Sequence, residues 1–290
     1  MPGTETAKDF TPAPRWGQRS PFHDPRLLAC FRARPDDVLI TTAPKAGTTW
    51  MQQILHQLRS GGDDNFHSIY EVVPWLERPR RDKDWRALLA EYEAMSDPRI
   101  FKTHCTYAQT PAADLVRIVL TSRDPRDCCV SFYHHLMNLT PQALARSGIS
   151  RPLSFDDYFE HWLKAGVWFR NVQSWWPHIH DANVLWLRYQ DLKQDLPGGL
   201  ARIADFLGWP LPQARRKQVL EYCSFAWMKA HAERFTRFPE EEGSLFRRGG
   251  FIRRGEVGGY GELLSAQQEA RILERARALL AADCLEFLDL

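Results

Sequence analysis

Residues 38–60, VLITTAPKAGTTWMQQILHQLRS, constrain the fold more than any other stretch of the chain. Val38-Leu39-Ile40-Thr41-Thr42 is a β-branched, apolar run suited to a buried strand. Ala43-Pro44 ends it, since proline has no N–H to give a central ladder. Beyond Lys45-Ala46-Gly47-Thr48-Thr49, the apolar residues Trp50, Met51, Ile54, Leu55 and Leu58 fall on one face of a helix. Strand, glycine-bearing turn and helix have the geometry of an anion cradle, and equally of an ordinary βα turn with a solvated lysine. The first N–H groups of a helix have no partner within it, and the helix dipole adds partial positive charge there. Gly47 lets the backbone approach closely, Thr48 and Thr49 offer hydroxyls, and Lys45 brings a full charge.

The cradle departs from the ATP-type pattern. GxxxxGK[ST] is absent, because the lysine here precedes the glycine and no basic residue follows it. Composition narrows the field further. The chain has 290 residues, 44% hydrophobic and 26% charged, with no linker or repeat, which predicts one large domain. Its 38 basic and 36 acidic residues give a net charge of only +2, so bulk charge favours neither nucleic acid nor an anionic membrane as partner. No run of 18 apolar residues occurs, and the N-terminus lacks a signal-peptide core. The six cysteines include no CxxC pair, and adjacent Cys128-Cys129 cannot form a relaxed disulfide. Reduced thiols in the cytoplasm are the expectation. His134/His135 and His178/His180 have no companions at ligand spacing, so no metal is expected.

Other segments add basic or aromatic groups at strand ends. Residues 1–24 are polar and proline-rich and read as an N-terminal arm to a domain spanning 25–290; residues 26–34 read as a short helix. Residues 99–104 form a second strand candidate, with Lys102 and His104 on one face. Residues 115–122 form a third, running into Arg123 and an Asp124-Pro125 helix opening that puts Ser131 about two turns along. Residues 183–189 form a fourth strand candidate, and 265–281 a closing helix. The aromatic stripe Phe155, Tyr158, Phe159 and Trp162 reads as core. The whole predicts an α/β fold, a mainly parallel sheet with helices on both faces and a P-loop-like turn.

PKAGTTW resembles the PKxGTTW signature of the cytosolic-type sulfotransferases, which use 3′-phosphoadenosine 5′-phosphosulfate (PAPS). KTH at 102–104 resembles that family's motif, in which the histidine is the general base. RDPRDCCVSFYHH resembles RNPKDVxVSxYHF, whose first Arg and Ser hold the 3′-phosphate; FIRRGEVGGYGE resembles RKGxxGDWK, which wraps the same phosphate. The resemblance implies that His104, Lys45 and Lys102 are catalytic, and that Ala46, Gly47, Thr48 and Thr49 cradle the 5′-phosphate. It implies further that Arg123, Ser131, Arg253, Arg254 and Gly255 hold the 3′-phosphate, and that Trp50, Tyr189, Cys223 and Phe225 surround adenine. Trp75, in a segment similar to VPFLE or SPWLE, is implied to touch the acceptor, a phenol, alcohol or glycolipid. Cys223 replaces a threonine, and Gly259-Tyr260 replaces Asp-Trp. FRRGG at 246–250 repeats the basic chemistry without the following residues. A P-loop nucleotide kinase and a non-catalytic nucleotide-binding protein are the alternatives.

Overall fold

The computed structural model describes residues 10–146, 153–236, 238, 245–247 and 250–290. Arg248 and Gly249 of the repeated basic motif lie outside them, as do residues 1–9 of the arm. The strands are β1 (Val38–Ile40), β2 (Ile100–Lys102), β3 (Arg117–Ser122) and β4 (Val184–Arg188). They form one parallel sheet in the order β2-β1-β3-β4, with Val38 opposite both Ile100 and Arg117.

Period-2 alternation divides each strand between two cores. Leu39, Phe101, Ile118, Leu120 and Trp186 enter one; Val38, Ile40, Ile100, Val119 and Leu187 enter the other. A sheet buried on both faces explains why these strands read as continuous apolar runs. The first core also takes Tyr158, Phe159 and Trp162 from the Phe155–Ala165 helix, Trp168 and Trp175 from the Val167–Trp175 helix, and Ile272 and Ala276 from the Ala266–Leu279 helix. The second takes Met51, Ile54, Leu55 and Leu58 of the Thr48–Ser60 helix, together with Leu200, Ile203 and Leu207 of the Leu196–Leu207 helix.

The Thr48–Ser60 helix is buried on more than its apolar face. Gln52, Gln53, His56 and Gln57 are buried too, each hydrogen-bonded to a backbone carbonyl: Val73, Tyr222, and Asp63 for the last two. At the amino end of the sheet, Arg99 is fully buried. It donates to both carboxylate oxygens of Asp37 at 2.8 and 2.6 Å and to the carbonyls of Tyr92 and Arg32.

Several helices start or stop at residues the sequence provides as caps. Asp24 caps the Pro25–Cys30 helix, Asp124 the Pro125–Met137 helix and Ser265 the Ala266–Leu279 helix; Gly61 ends the Thr48–Ser60 helix in a left-handed conformation. In this strand order the topological switch falls between β1 and β3. Ligands of open α/β sheets collect beyond the carboxyl ends of such a pair.

Candidate active site

The cradle lies at that switch. Lys45 adopts φ +68° and Gly47 φ +101°, so the loop turns sharply between β1 and the helix. A non-glycine residue with positive φ costs about 1 kcal/mol or more, and such strain collects at functional sites. A side chain at position 47 would bring its Cβ to 3.0 Å from Tyr189 Cδ2. The helix begins with no side-chain cap, so its first N–H groups remain free to bind an anion. The hydroxyls of Thr42 and Thr48 lie 2.6 Å apart. Trp50 meets Tyr189 edge-on at 5.4 Å and donates its indole N–H to the Cys223 carbonyl at 2.8 Å. The Cys223 thiol itself packs in the second core, and its neighbours Ser224 and Phe225 line the cavity instead. Ala46 is fully buried and offers only its backbone.

The end of β2 supplies a second group. Lys102 Nζ is 3.2 Å from His104 Nε2, and His104 Nδ1 is 2.7 Å from the Thr42 carbonyl. A carbonyl only accepts, so Nδ1 carries the proton and Nε2 the lone pair. Trp75 forms a bridge with Lys102, presents its ring 3.3 Å from Lys102 Nζ and packs edge-on against His104 at 5.2 Å. Buried Glu77 accepts the His104 backbone N–H at 3.0 Å. Burial lowers Lys102 to about 7 and Lys45 to about 8; neighbouring cations add to the effect. The same causes, with Lys102 the nearest cation, push His104 well below its usual value. His104 is therefore a neutral imidazole.

A third group closes the far side. Arg123 donates to the Glu256 carbonyl at 2.6 Å, pairs with Asp127 at 3.5 Å and lies 4.9 Å from the Tyr189 ring. Trp168 fixes the Arg123 carbonyl from below at 3.1 Å. Asp127 accepts from the Gly258 N–H at 2.9 Å, which ties the Pro125–Met137 helix to the C-terminal loop. Arg253 and Arg254 both pair with Glu262, at 2.7 and 2.9 Å, and His134 reaches the same carboxylate at 2.9 Å. Tyr189 and Lys193 both donate to the Gly255 carbonyl.

These groups face one cavity of about 1520 Å³, which Ser131 also lines. Lys45, Lys102, Arg123, Arg253 and Arg254 all reach it, and an anion of matching shape is what such a surface binds. Thr121 Oγ1, Ser122 Oγ and Arg123 Nε are buried without a partner among the described residues. With the uncapped helix start and the cradle that a Cβ at Gly47 would fill, they fit a nucleotide bearing two separate phosphate groups. Elsewhere, His23, Glu77 and Cys105 each offer one atom of metal-ligand type within 4.8 Å of the others; His23 and Glu77 are already hydrogen-bonded to backbone.

Residues 35–282 match the family described as Sulfotransferase domain. The chain belongs to the sulfotransferase family. The amine sulfotransferase of Oryctolagus cuniculus is 28% identical over 249 residues, 83% of this chain and 79% of that protein. Sulfotransferase 1C2 of Homo sapiens is 27% identical over 277 residues, 90% and 88% of the two chains. Among solved structures, retinol dehydratase in complex with androsterone and inactive cofactor PAP superposes with a TM-score of 0.68 at 25% identity, covering 90% of this chain and 83% of that one. Mouse sulfotransferase SULT7A1 complexed with PAP shares the fold, with a TM-score of 0.70 at 22% identity over 91% and 90%. The protein is a sulfotransferase with PAPS as its co-substrate, which sets aside the kinase and non-catalytic alternatives. Among the described residues, no helix is long and apolar enough to cross a membrane.

Three residues of this sulfotransferase escape a motif reading. His135 stands where the family's RNPKDVxVSxYHF ends in phenylalanine, and its Nδ1 lies 3.1 Å from Lys45 Nζ. Glu262 follows the Gly259-Tyr260 departure and gathers both Arg253 and Arg254. Lys193 braces the Gly255 carbonyl and lies 5.4 Å from the Phe225 ring. The departure from the family's phenylalanine signals His135; nothing in the sequence alone signals the other two contacts.

Proposed function

We propose that His104 is the general base in transfer of a sulfuryl group from PAPS to the hydroxyl or amine of a small, apolar or aromatic acceptor. The single observation that carries this is the Thr42 carbonyl on His104 Nδ1, which leaves Nε2 as the basic nitrogen facing the cavity. When bound, PAPS supplies the sulfuryl group on a phosphate leaving group. Lys102 donates to the His104 lone pair, so the base is masked until an anionic group competes for that ammonium. Nε2 then takes the acceptor proton as the new oxygen–sulfur bond forms. Lys45, at the mouth of the cradle, neutralises charge building on the departing phosphate oxygen, and Lys102 does the same for the sulfuryl oxygens.

In this reading the backbone of residues 46–49, with Thr48 and Thr49, holds the 5′-phosphate. Arg123, Ser131, Arg253, Arg254 and the Gly255 backbone hold the 3′-phosphate, and Trp50, Tyr189 and Phe225 border adenine. Cys223 acts through its backbone, as the acceptor of the Trp50 indole bond. The acceptor side is supported by an apolar wall that includes Phe132, Leu136, Trp162 and Phe251, with Trp75 beside the base. A phenol, alcohol or glycolipid suits such a wall. A cytoplasmic setting is supported by six free thiols. We take residues 25–290 as the catalytic domain and 1–24 as an arm.

The test is a transfer assay with PAPS over a panel of phenols, aliphatic alcohols and amines, for the natural chain and for His104→Ala. Loss of turnover in the variant, with 3′-phosphoadenosine 5′-phosphate still bound in a calorimeter, supports the base assignment. A fully active variant ends it.

A further inference from the structure

The cavity holds a second histidine, locked in the opposite tautomer to His104. The ammonium of Lys45 has only donors, so His135 Nδ1, 3.1 Å away, must accept. A neutral imidazole whose Nδ1 accepts carries its proton on Nε2. Among the described residues, Nε2 meets no hydrogen-bond partner. The ring lines the cavity, with Phe246 at 4.7 Å and Phe251 at 5.7 Å. An N–H on an apolar wall that none of the described residues satisfies is costly unless a ligand or water accepts it. The site therefore presents a proton acceptor, His104 Nε2, and a proton donor, His135 Nε2–H, to the same space.

We propose that His135 is a specificity-determining residue whose Nε2–H binds a second oxygen of the acceptor. The substrate class is then an apolar phenol or alcohol that carries, away from the reacting hydroxyl, a hydrogen-bond-accepting oxygen such as a ketone or ether. The inference rests on the sulfuryl-transfer reading above and adds to it a second group that the acceptor must offer besides its reacting hydroxyl. A pocket polar group left unpaired discriminates against the analogue that lacks its partner, and this is the mechanism invoked here.

The experiment compares 4-(4-hydroxyphenyl)-2-butanone with 4-butylphenol, and 6-(4-hydroxyphenyl)-2-hexanone with 4-hexylphenol. Each pair keeps the same phenol and differs in one ketone, at two reaches. The natural chain is expected to favour at least one ketone over its hydrocarbon partner by about tenfold in kcat/KM. His135→Phe, the family's own residue, is expected to collapse that ratio to about one, whatever its absolute rate. His135→Gln can accept from Lys45 and still donate, and is expected to restore a preference, which a merely structural role does not explain. Equal kcat/KM within both pairs, or a preference surviving His135→Phe, overturns the inference alone. No transfer to any of the four phenols, with 3′-phosphoadenosine 5′-phosphate still bound, overturns the acceptor reading beneath it as well.

Discussion

His104 Nδ1 donates to the carbonyl of Thr42 across 2.7 Å, so the residue that leads into the glycine-bearing turn also orients the imidazole proposed as base. Thr42 also sets its hydroxyl 2.6 Å from that of Thr48, so one residue touches both the histidine and the start of the helix. The bond fixes the tautomer, and an aligned base contributes roughly 10²- to 10⁴-fold to a proton transfer. His104→Gln, which cannot take up a proton at neutral pH, is expected to lose turnover by a similar factor while keeping its affinity for 3′-phosphoadenosine 5′-phosphate. Single-turnover rates beside calorimetry check this.

Glu262 holds Arg253 and Arg254 in the described conformation. A phosphate must displace that carboxylate or share the arginines with it. Glu262→Gln is expected to tighten 3′-phosphoadenosine 5′-phosphate binding on the order of tenfold, and to steepen its dependence on salt. An unchanged or weaker dissociation constant would show that Glu262 positions the arginines rather than competing for them.

Buried Lys102 and partly buried Lys45 make the unliganded fold sensitive to pH. Burial lowers Lys45 to about 8 and Lys102 to about 7, from an ordinary 10.5. Between those values the unfolded chain binds more protons than the folded one, so their contribution to stability rises with pH from about 7 to about 10.5. An anionic ligand restores the charged lysines and flattens that slope. Melting temperatures at pH 7 to 10, with and without 3′-phosphoadenosine 5′-phosphate, should differ most at the low end. Lys45→Met should remove part of the difference.

Gly255 has φ +60°, and a Cβ there would lie 2.8 Å from Phe225 Cδ2. Both the backbone and the ring resist alanine. Gly255→Ala is expected to raise KM for PAPS more than it lowers kcat, because the clash falls on Phe225, the proposed adenine contact, and not on His104. Steady-state kinetics in PAPS separate the two effects.

Arg99 and Asp37 form a fully buried pair that also satisfies two carbonyls. Arg99→Met strands the Asp37 carboxylate and is expected to cost about 3–5 kcal/mol. Denaturant midpoints measure it. Adding Asp37→Asn should recover part of the loss, and no recovery would place the cost elsewhere in the Arg99 contacts.

Much of this architecture is readable from the chain because the sheet is buried on both faces, which turns each strand into an apolar run. The cradle, the Lys102–His104 pair and Arg123 follow from their positions at strand ends. Strand limits are harder to read: β2 stops at Lys102, and His104 lies beyond the ladder. The helix after the cradle shows its apolar face, yet the burial of Gln52, Gln53 and Gln57 depends on carbonyls from distant segments. For the same reason the Lys45–His135 and Glu262–Arg253 contacts are invisible locally, since pairing across folded space leaves no periodicity. The short Ala282–Leu288 helix after the closing one is likewise too brief to show a repeating face.

All four strands point the same way, and Lys45, His104, Arg123 and Tyr189 emerge at or just past their carboxyl ends. Trp75 arrives on the connection between the Thr48–Ser60 helix and β2, and His135 sits near the end of its own helix. On the proposed assignments the nucleotide side is anchored at the strand ends, and Trp75 is tied to β2 as well, since the backbone on either side of it pairs with Lys102. Exchanging the Trp75 side chain alone, with the backbone of 74–76 left paired to Lys102 and Glu77 left on His104, is therefore the way to new substrates that leaves β2 as it is.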